Sequence, residues 1–501
     1  MAKKIHKTKK TPLFKNVGFY FVLLYALLTL GMIVQVFTVN VIPMKYAIIV
    51  CVILLLLLLG MYYLQLGKKV NKVNKVLGKI LIVILAVFLG VGNWYLFKTG
   101  SAFSRMTGDD TQTSVVSVVV MKESKAESIE DLKNSKFGLT KTGTQDIMEK
   151  GLADIKKDAG QDITTVDYKS YKTIADDLYD GKIDAIIMDE ATRSLFEDNH
   201  SKFDSETRIV KSYKYKTSTK DISKNVDVTS EPFNVYITGI DTYGTISTVS
   251  RSDVNMIATV NPKTHQVLLT SIPRDYYVPQ PCQGGQTDKL THTGIFGVDC
   301  TVETVENYFG IDINYYVRVN FSSVENIVDA LGGINVDSPI AFNALGYSFS
   351  AGTNSLNGKE ALAFSRERYS LGGGDRDRGK NQMRVITGII NKAISPSIIT
   401  NYTSILDAVS GSFQTNMSNN EMTSLIKMQI NDMSGWDIEQ ISVNGTGNGS
   451  AWSPANGFNS WVMEPNVNTV KRAVEVIKKV ENGEDVKALA QQVMEENTAD
   501  E

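Results

Sequence analysis

The groups best suited to chemistry on an anion lie in residues 362–382, LAFSRERYSLGGGDRDRGKNQ. The opening LAFSRERY reads as a short strand, in which alternate side chains share a face, so Arg366 and Arg368 point the same way. The glycines at 372, 373 and 374 free the backbone to bend or to approach a ligand closely. Asp375, Arg376, Asp377 and Arg378 follow, and a helical pattern begins near Lys380. Arg378 and Gln382 are four apart and share a helix face. A helix N-terminus beside several forked guanidiniums suits a phosphate or diphosphate. The same residues would also serve as a solvated charge run beside a flexible loop, so the elements that position them decide between the two readings.

Residues 233–241, FNVYITGID, read as a buried strand ending in Asp241. After a loop, VNMIATVN and HQVLLTSIPRD flank the turn NPKT and form a hairpin, because Asn-Pro favours turn initiation. Arg251 and Asp253 precede its first strand and Arg274 follows its second, and antiparallel pairing brings those ends together. If strand 233–240 runs parallel to 266–272, Asp241 emerges at the same edge, at the carboxyl ends of strands where α/β sheets place ligands. Downstream, 301–309 and 321–331 are helical, with Phe321, Val324, Ile327, Val328 and Leu331 at core spacing. A strand follows near 332–340. Helices are expected at 381–393, with Ile386, Ile389 and Ile390 as an apolar stripe, at 419–430 after a Ser418 cap, and at 467–480. Residues 441–460 are rich in Gly, Asn and Ser and read as loop, and the acidic stretch after Asn482 reads as peripheral.

The formal charge of −2 hides a division. Residues 1–99 hold 13 Lys and no acid, whereas the rest holds 39 Lys and Arg against 54 Asp and Glu, a balance of −15. Apolar runs at 17–37, 46–66 and 80–97 each approach the ~20 residues that span a bilayer as a helix. Lysines cluster before the first run and between the second and third. The positive-inside rule then puts the N-terminus and the second loop in the cytoplasm and everything after Lys98 outside, with Trp94 and Tyr95 in the outer aromatic belt. No cleaved signal peptide is expected, since two further spans follow the first. Cys51 sits within the second span as a small apolar residue. Cys282 and Cys300 lie outside, where disulfides persist, and are expected to pair.

Residues 101–113 read as a linker and 211–230 as a hinge. Between them strands and helices alternate, implying an α/β layer, and the order resembles one lobe of a periplasmic solute-binding protein. It carries no evident ligand constellation, so a structural or partner-docking role is expected. The chain then divides into a cytoplasmic tail with three transmembrane helices (1–99), an extracellular accessory α/β domain (100–225), a catalytic domain (226–481) and an acidic tail (482–501).

The segments TGID…SRSDV, SIPRD, VNFSSVENIVDALGGINV and LNGKEALAFSRERYSLGGGDRDRGKNQ, in this order over 233–395, resemble the LytR–CpsA–Psr (LCP) family. Three spans and an accessory unit ahead of the matching region are similar to its capsule-assembly members. The resemblance implies an α-β-α sandwich with an apolar channel for a lipid tail. It implies a phosphotransferase that moves capsular polysaccharide, or a related anionic glycopolymer, from a polyprenyl pyrophosphate carrier to peptidoglycan. By position it makes Asp241 and Asp253 ligands of Mg²⁺, with Mn²⁺ the alternative. Arg251, Arg274, Arg366, Arg368, Arg378 and Gln382 become the pyrophosphate clamp, Arg366 and Arg368 are catalytic, and Asp375 is an acid at the head group and a candidate base. Where family members often read Arg-Gln-Gln, this chain has Lys380, Asn381 and Gln382, and a lysine supplies charge without a bidentate fork. Expected partners are the carrier-linked glycan, the peptidoglycan acceptor, membrane lipid and other capsule-assembly membrane proteins. Three competing classes are a polyprenyl-pyrophosphate hydrolase, a membrane-bound transcriptional regulator of capsule genes and a lipid or polymer sensor without turnover; the acidic outer body repels nucleic acid.

Overall fold

The computed structural model describes residues 16–107, 111–140, 145–240, 246–395, 405, 408 and 410–499. They fall into two compact units. The first contains three helices long and apolar enough to cross a membrane, which mark a membrane-anchored chain: α1 (Val17–Val39), α2 (Met44–Leu66) and α3 (Lys72–Thr107). Tyr25, Leu54, Met61, Ile82 and Leu89 are buried among them. Their polar residues bond within the bundle: Asn93 Nδ2 donates to the Leu28 carbonyl (3.1 Å) and Gln65 Nε2 to that of Lys75 (2.9 Å). α3 outruns the expected apolar segment and absorbs residues 101–107, expected as linker. Thr99 and Ser101 turn their hydroxyls onto the carbonyls of Tyr95 and Lys98 (2.8 and 2.9 Å), so these small polar residues are satisfied inside the helix. The helix Asn419–Asp432 belongs to this unit, and Lys427 Nζ reaches Asn40 Oδ1 at 2.5 Å.

The second unit holds two larger sheets. The first has the order β3-β2-β4-β1-β5, from β1 (Thr111–Met121), β2 (Lys136–Thr140), β3 (Thr164–Tyr168), β4 (Ala185–Asp189) and β5 (Thr207–Ser218). Helices α4 (Gln145–Ala159) and α5 (Tyr171–Tyr179) pack against it, and the short α6 (Arg193–Glu197) and α7 (Phe203–Glu206) precede β5. β5 occupies residues expected as hinge. Tyr213 and Tyr215 lie two apart and donate to Asp158 and Asp154 of α4 at 2.6 Å each, so the alternation in KSYKYK is a strand period rather than linker polarity.

The second sheet has the order β16-β11-β6-β7-β8-β17. Its strands are β6 (Phe233–Ile240), β7 (Ser252–Asn261), β8 (Gln266–Ser271), β11 (Tyr315–Asn320), β16 (Phe413–Thr415) and β17 (Asp437–Ser442). β6 and β8 both run antiparallel to β7 and hence parallel to one another. On one face Tyr236, Ile257 and Leu268 pack against α8 (Val298–Phe309) and the helix Val467–Glu481 through Val302, Val476 and Ile477. The last helix, Lys487–Ala499, joins that core through Ala490 and Val493, with Val486 just before it. That stretch is therefore packed, where an acidic peripheral tail was expected. A second core gathers α9 (Phe321–Ala330), α10 (Gly358–Arg366) and α11 (Asp375–Ala393) around the short ribbons β12 (Ile334–Ser338), β13 (Phe342–Ala344), β14 (Tyr347–Phe349) and β15 (Gly352–Leu356).

Three further departures bear on the site. LAFSRERY is not a strand: its first residues form α10, started by a capping box in which Asn357 Oδ1 accepts from Glu360 N (3.0 Å) and Glu360 Oε2 from Asn357 N (2.9 Å). Arg366 is thus the last helical residue, and the shared strand face with Arg368 does not exist. α11 begins at Asp375, five residues ahead of the expected start, so Arg378 lies within its first turn rather than before it. The expected loop at 441–460 is largely a hairpin, β18 (Gly445–Ser453) with β19 (Phe458–Pro465). The disulfide between Cys282 and Cys300 forms as expected and ties the turn after β9 (Tyr277–Gln280) to α8.

Candidate active site

β7, β8 and the start of α11 meet at one cavity lined by Asp253, Asn255, Ser271, Arg274, Asp375, Arg376, Arg378 and Gln382, among others. The hairpin does what its turn predicts: Asp253, at the start of β7, and Arg274, just past β8, form an ion pair at 3.0 Å. α11 approaches closely because residue 379 is glycine. A Cβ there would stand 2.7 Å from Ser271 Oγ. Asp375 then pairs with Arg378 (2.5 Å) and stands 3.9 Å from Arg274, while Asp275 lies 3.5 Å from Arg274.

The pair is nearly sealed, with Asp253 9% and Arg274 18% exposed. Burial alone would raise the Asp253 pKa. Arg251, Arg274, Arg378 and a hydrogen bond from Thr291 Oγ1 (2.8 Å) overcome it and hold the carboxylate well below its usual range. Burial pushes the Arg378 guanidinium down, and Arg274 and Arg368 add like-charge repulsion that Asp375 opposes. Among the described residues, two buried polar atoms at the cavity have no hydrogen-bond partner, Asp253 Oδ2 and Arg274 Nε, the latter 3.5 Å from Asp275 Oδ2. Burying such groups unmet costs ~1–3 kcal/mol each, more when charged. The arrangement therefore favours a ligand carrying anionic oxygens, whose free energy of binding includes relief of that cost.

The sequence-derived set divides here. Asp253, Arg274, Asp375, Arg378 and Gln382 line the cavity. Arg368 acts on Arg378 electrostatically, while its guanidinium lies over the Tyr369 ring, 4.6 Å from the centroid. Arg366 lies over Phe321 at 4.1 Å and is not part of the cavity lining. Asp241 lies outside the described residues. The sequence reading missed Asn255, Thr291 and Asn444. Asn255 lines the cavity and joins a buried chain with Ser252 and Thr238, and Asn444 Oδ1 accepts from Arg376 Nη1 at 3.0 Å. For Asn255 the one hint was its neighbour Asp253; Thr291 and Asn444 had none.

Arg251 acts on Asp253 and also reaches the first sheet's unit, with Nη1 3.4 Å from Asp198 Oδ2. Beside it, burial and a hydrogen bond with Asp204 push Glu197 up to about 7, against the pull of Arg251 and Arg193. A carboxyl whose folded pKa is raised contributes stability that is complete below its unfolded value of ~4.3 and is lost as pH rises through the folded one. Between pH 5 and 8 the wild type should lose ~2 kcal/mol relative to Glu197→Gln. Thermal melts of both proteins at the two pH values check this, and parallel melting would exclude it.

The fold and cavity define a membrane-anchored α/β protein with a buried cavity lined by arginines and carboxylates. The LytR_cpsA_psr family profile matches residues 197–475. A polyisoprenyl-teichoic acid–peptidoglycan teichoic acid transferase TagU of Enterococcus faecalis is 40% identical over 238 residues, 46% of this chain and 77% of that protein. The TagU of Bacillus subtilis strain 168 is 40% identical over 210 residues, 42% of this chain and 67% of that protein. The crystal structure of B. subtilis TagU aligns with a TM-score of 0.39 and 34% identity over 50% of this chain and 96% of that one. The chain belongs to the LytR–CpsA–Psr family. A second profile, for a DNA polymerase processivity factor, matches residues 48–188, a stretch that takes in most of α2 and all of α3 and assigns no activity here.

Proposed function

We propose that this protein transfers a glycan phosphate from a polyprenyl pyrophosphate carrier to a peptidoglycan hydroxyl on the outer face of the membrane. The observation that carries this reading is one buried cavity in which Arg274 Nε and Asp253 Oδ2 have no hydrogen-bond partner among the described residues. The activity for which the TagU relatives are named supports it. Arg274, Arg378 and Gln382 receive the pyrophosphate oxygens, with Arg368 and Arg251 adding charge from the rim. Phosphoryl transfer asks a protein mainly for placement and for neutralisation of oxygens that gain charge. The acceptor oxygen bonds to the phosphorus attached to the glycan, and that phosphorus breaks its bond to the bridging oxygen. Polyprenyl phosphate departs, and the hydroxyl proton passes to a carboxylate, with Asp375 placed for it. The tail of the carrier would lie against the partly buried apolar side chains of α9 and α11, Val324, Ile327 and Ile389.

The residues fit a hard cation. Mg²⁺ takes one or two carboxylates and draws its other oxygens from phosphate and water. Asp253 Oδ1 is taken by Thr291 and Arg274, while Oδ2 is unpartnered. Asp253 would hold Mg²⁺ or Mn²⁺, with Asp241 as the second carboxylate, and the bound ion would supply positive charge to the phosphate oxygens. The moved polymer is capsular polysaccharide or a related anionic glycopolymer, and the lysine distribution puts α1 with its N-terminus in the cytoplasm.

The test supplies the full chain, in detergent, with a polyprenyl-pyrophosphate-linked glycan, with and without peptidoglycan. Release of polyprenyl phosphate that needs the acceptor, with glycan joined to it, is expected. Equal release without acceptor, yielding free glycan phosphate, would make the protein a hydrolase.

A further inference from the structure

The β18–β19 hairpin takes no part in the reaction above. Its register sets Trp452 opposite Asn459, and Trp461 lies two residues beyond Asn459, so both indoles and the Asn459 amide stand on one face. Trp452 is 54% and Trp461 47% exposed. Asn459 Nδ2 donates to Ser450 Oγ at 3.2 Å, across the irregularity between Asn448 and Ala451. The Trp461 indole runs beside bare backbone: a Cβ on Gly447 would come within 3.1 Å of the ring.

Both ends of the hairpin are fixed. At its base, Ser442 and Val443 line the cavity and Asn444 holds Arg376. At its tip, Asp288 accepts from Ser453 Oγ and Ala455 N, both at 2.8 Å, and Ala455 is buried with Tyr171, Leu195 and Phe196 of the first sheet's unit. Tyr277 OH donates to the Trp452 carbonyl at 2.7 Å. The indoles therefore project from a strut held at both ends. At ~3.3 Å per residue, Gly447 and the indole beside it stand ~10 Å beyond Asn444, and Trp452 up to ~25 Å.

We propose that this face binds an uncharged pyranose chain, the sugar backbone of the acceptor; the identity of that chain rests on the transferase reading. Pyranose rings present an apolar C–H face to an indole and ring their edge with hydroxyls, which Asn459 and Ser450 meet. The only charged side chain in residues 445–465 is Glu464, and Asn448 Nδ2 already donates to it at 2.7 Å. A polyanionic glycan or an anionic bilayer would call for Lys or Arg beside the indoles. Continuity with the cavity makes the strut a rail along which a chain reaches Arg274 and Arg378.

The experiment titrates the full chain in detergent with a tetramer of N-acetylglucosamine by calorimetry. Wild type, Trp452→Ala/Trp461→Ala and Trp452→Phe/Trp461→Phe are compared, and binding of each to phosphatidylglycerol vesicles is measured in parallel. The alanine pair should weaken sugar binding at least tenfold, the phenylalanine pair should retain most of it, and all three should melt alike. In the transfer assay the alanine pair should raise the acceptor KM about tenfold at unchanged kcat. No sugar binding by wild type, equal binding by the alanine pair, or loss of vesicle binding with sugar binding intact would each overturn the proposal. The titration contains no carrier lipid, so failure of the transferase reading appears separately, as wild type releasing no polyprenyl phosphate.

Discussion

Arg274→Ala is expected to slow acceptor-dependent release of polyprenyl phosphate by ~10²-fold or more, the scale found when one preorganised donor to a developing oxyanion is removed. Arg274 sits where the hairpin end meets the start of α11, 3.0 Å from Asp253 and 3.9 Å from Asp375, and its Nε, 3.5 Å from Asp275, makes no hydrogen bond among the described residues. No neighbour can replace that donor, because Arg378 is already paired to Asp375. Truncation also leaves Asp253 buried with less compensating charge. Losing one partner of a buried pair costs ~3–5 kcal/mol, and Thr291, Arg251 and Arg378 bring the expectation here to the low end. Arg274→Lys keeps the charge and loses the fork, so it should recover stability more than rate. Kinetics and melting of both variants separate the two effects. An alanine variant that folds and turns over within threefold of wild type would remove Arg274 from the chemistry.

How far the site was legible depended on whether local pattern or distant packing set each element. The Asn-Pro turn at 261–262 fixes a hairpin by itself, so convergence of Asp253 and Arg274 follows from the sequence. α10 was also legible, since Asn357 and Glu360 spell a capping box and Leu, Ala, Glu and Arg favour helix. Reading residues 362–369 by alternation overrode that signal and gave Arg366 and Arg368 a shared strand face they do not have. The β18–β19 hairpin was not legible. Its Gly, Asn and Ser residues have weak strand preference, and it is held by Asp288 and by packing against a unit more than 250 residues earlier in the chain, which no local window reports. The apolar Val486, Ala490 and Val493, at helix spacing, marked the last helix as packed, but the surrounding acids masked them.

Asp253→Asn should cost as much as the arginine, ~10²-fold or more in transfer, and should also abolish stabilisation by Mg²⁺. The asparagine matches the carboxylate in size and keeps an oxygen for Thr291 Oγ1, now 2.8 Å away, but presents no anion to a cation. If Oδ2, buried and unpartnered, holds the ion, wild type at a Mg²⁺ concentration of ~100 Kd should gain ~2.7 kcal/mol and Asp253→Asn almost nothing. The melting temperature followed over a Mg²⁺ titration reads this without any substrate. Thr291→Val supplies the contrast, because it leaves the charge and releases its orientation, a change that in metal sites costs ~10–100-fold in affinity or activity. Its Mg²⁺ curve should shift to higher concentration and still saturate. Equal Mg²⁺ stabilisation of wild type and Asp253→Asn would move the ion elsewhere and leave Asp253 as the partner that keeps Arg274 in place.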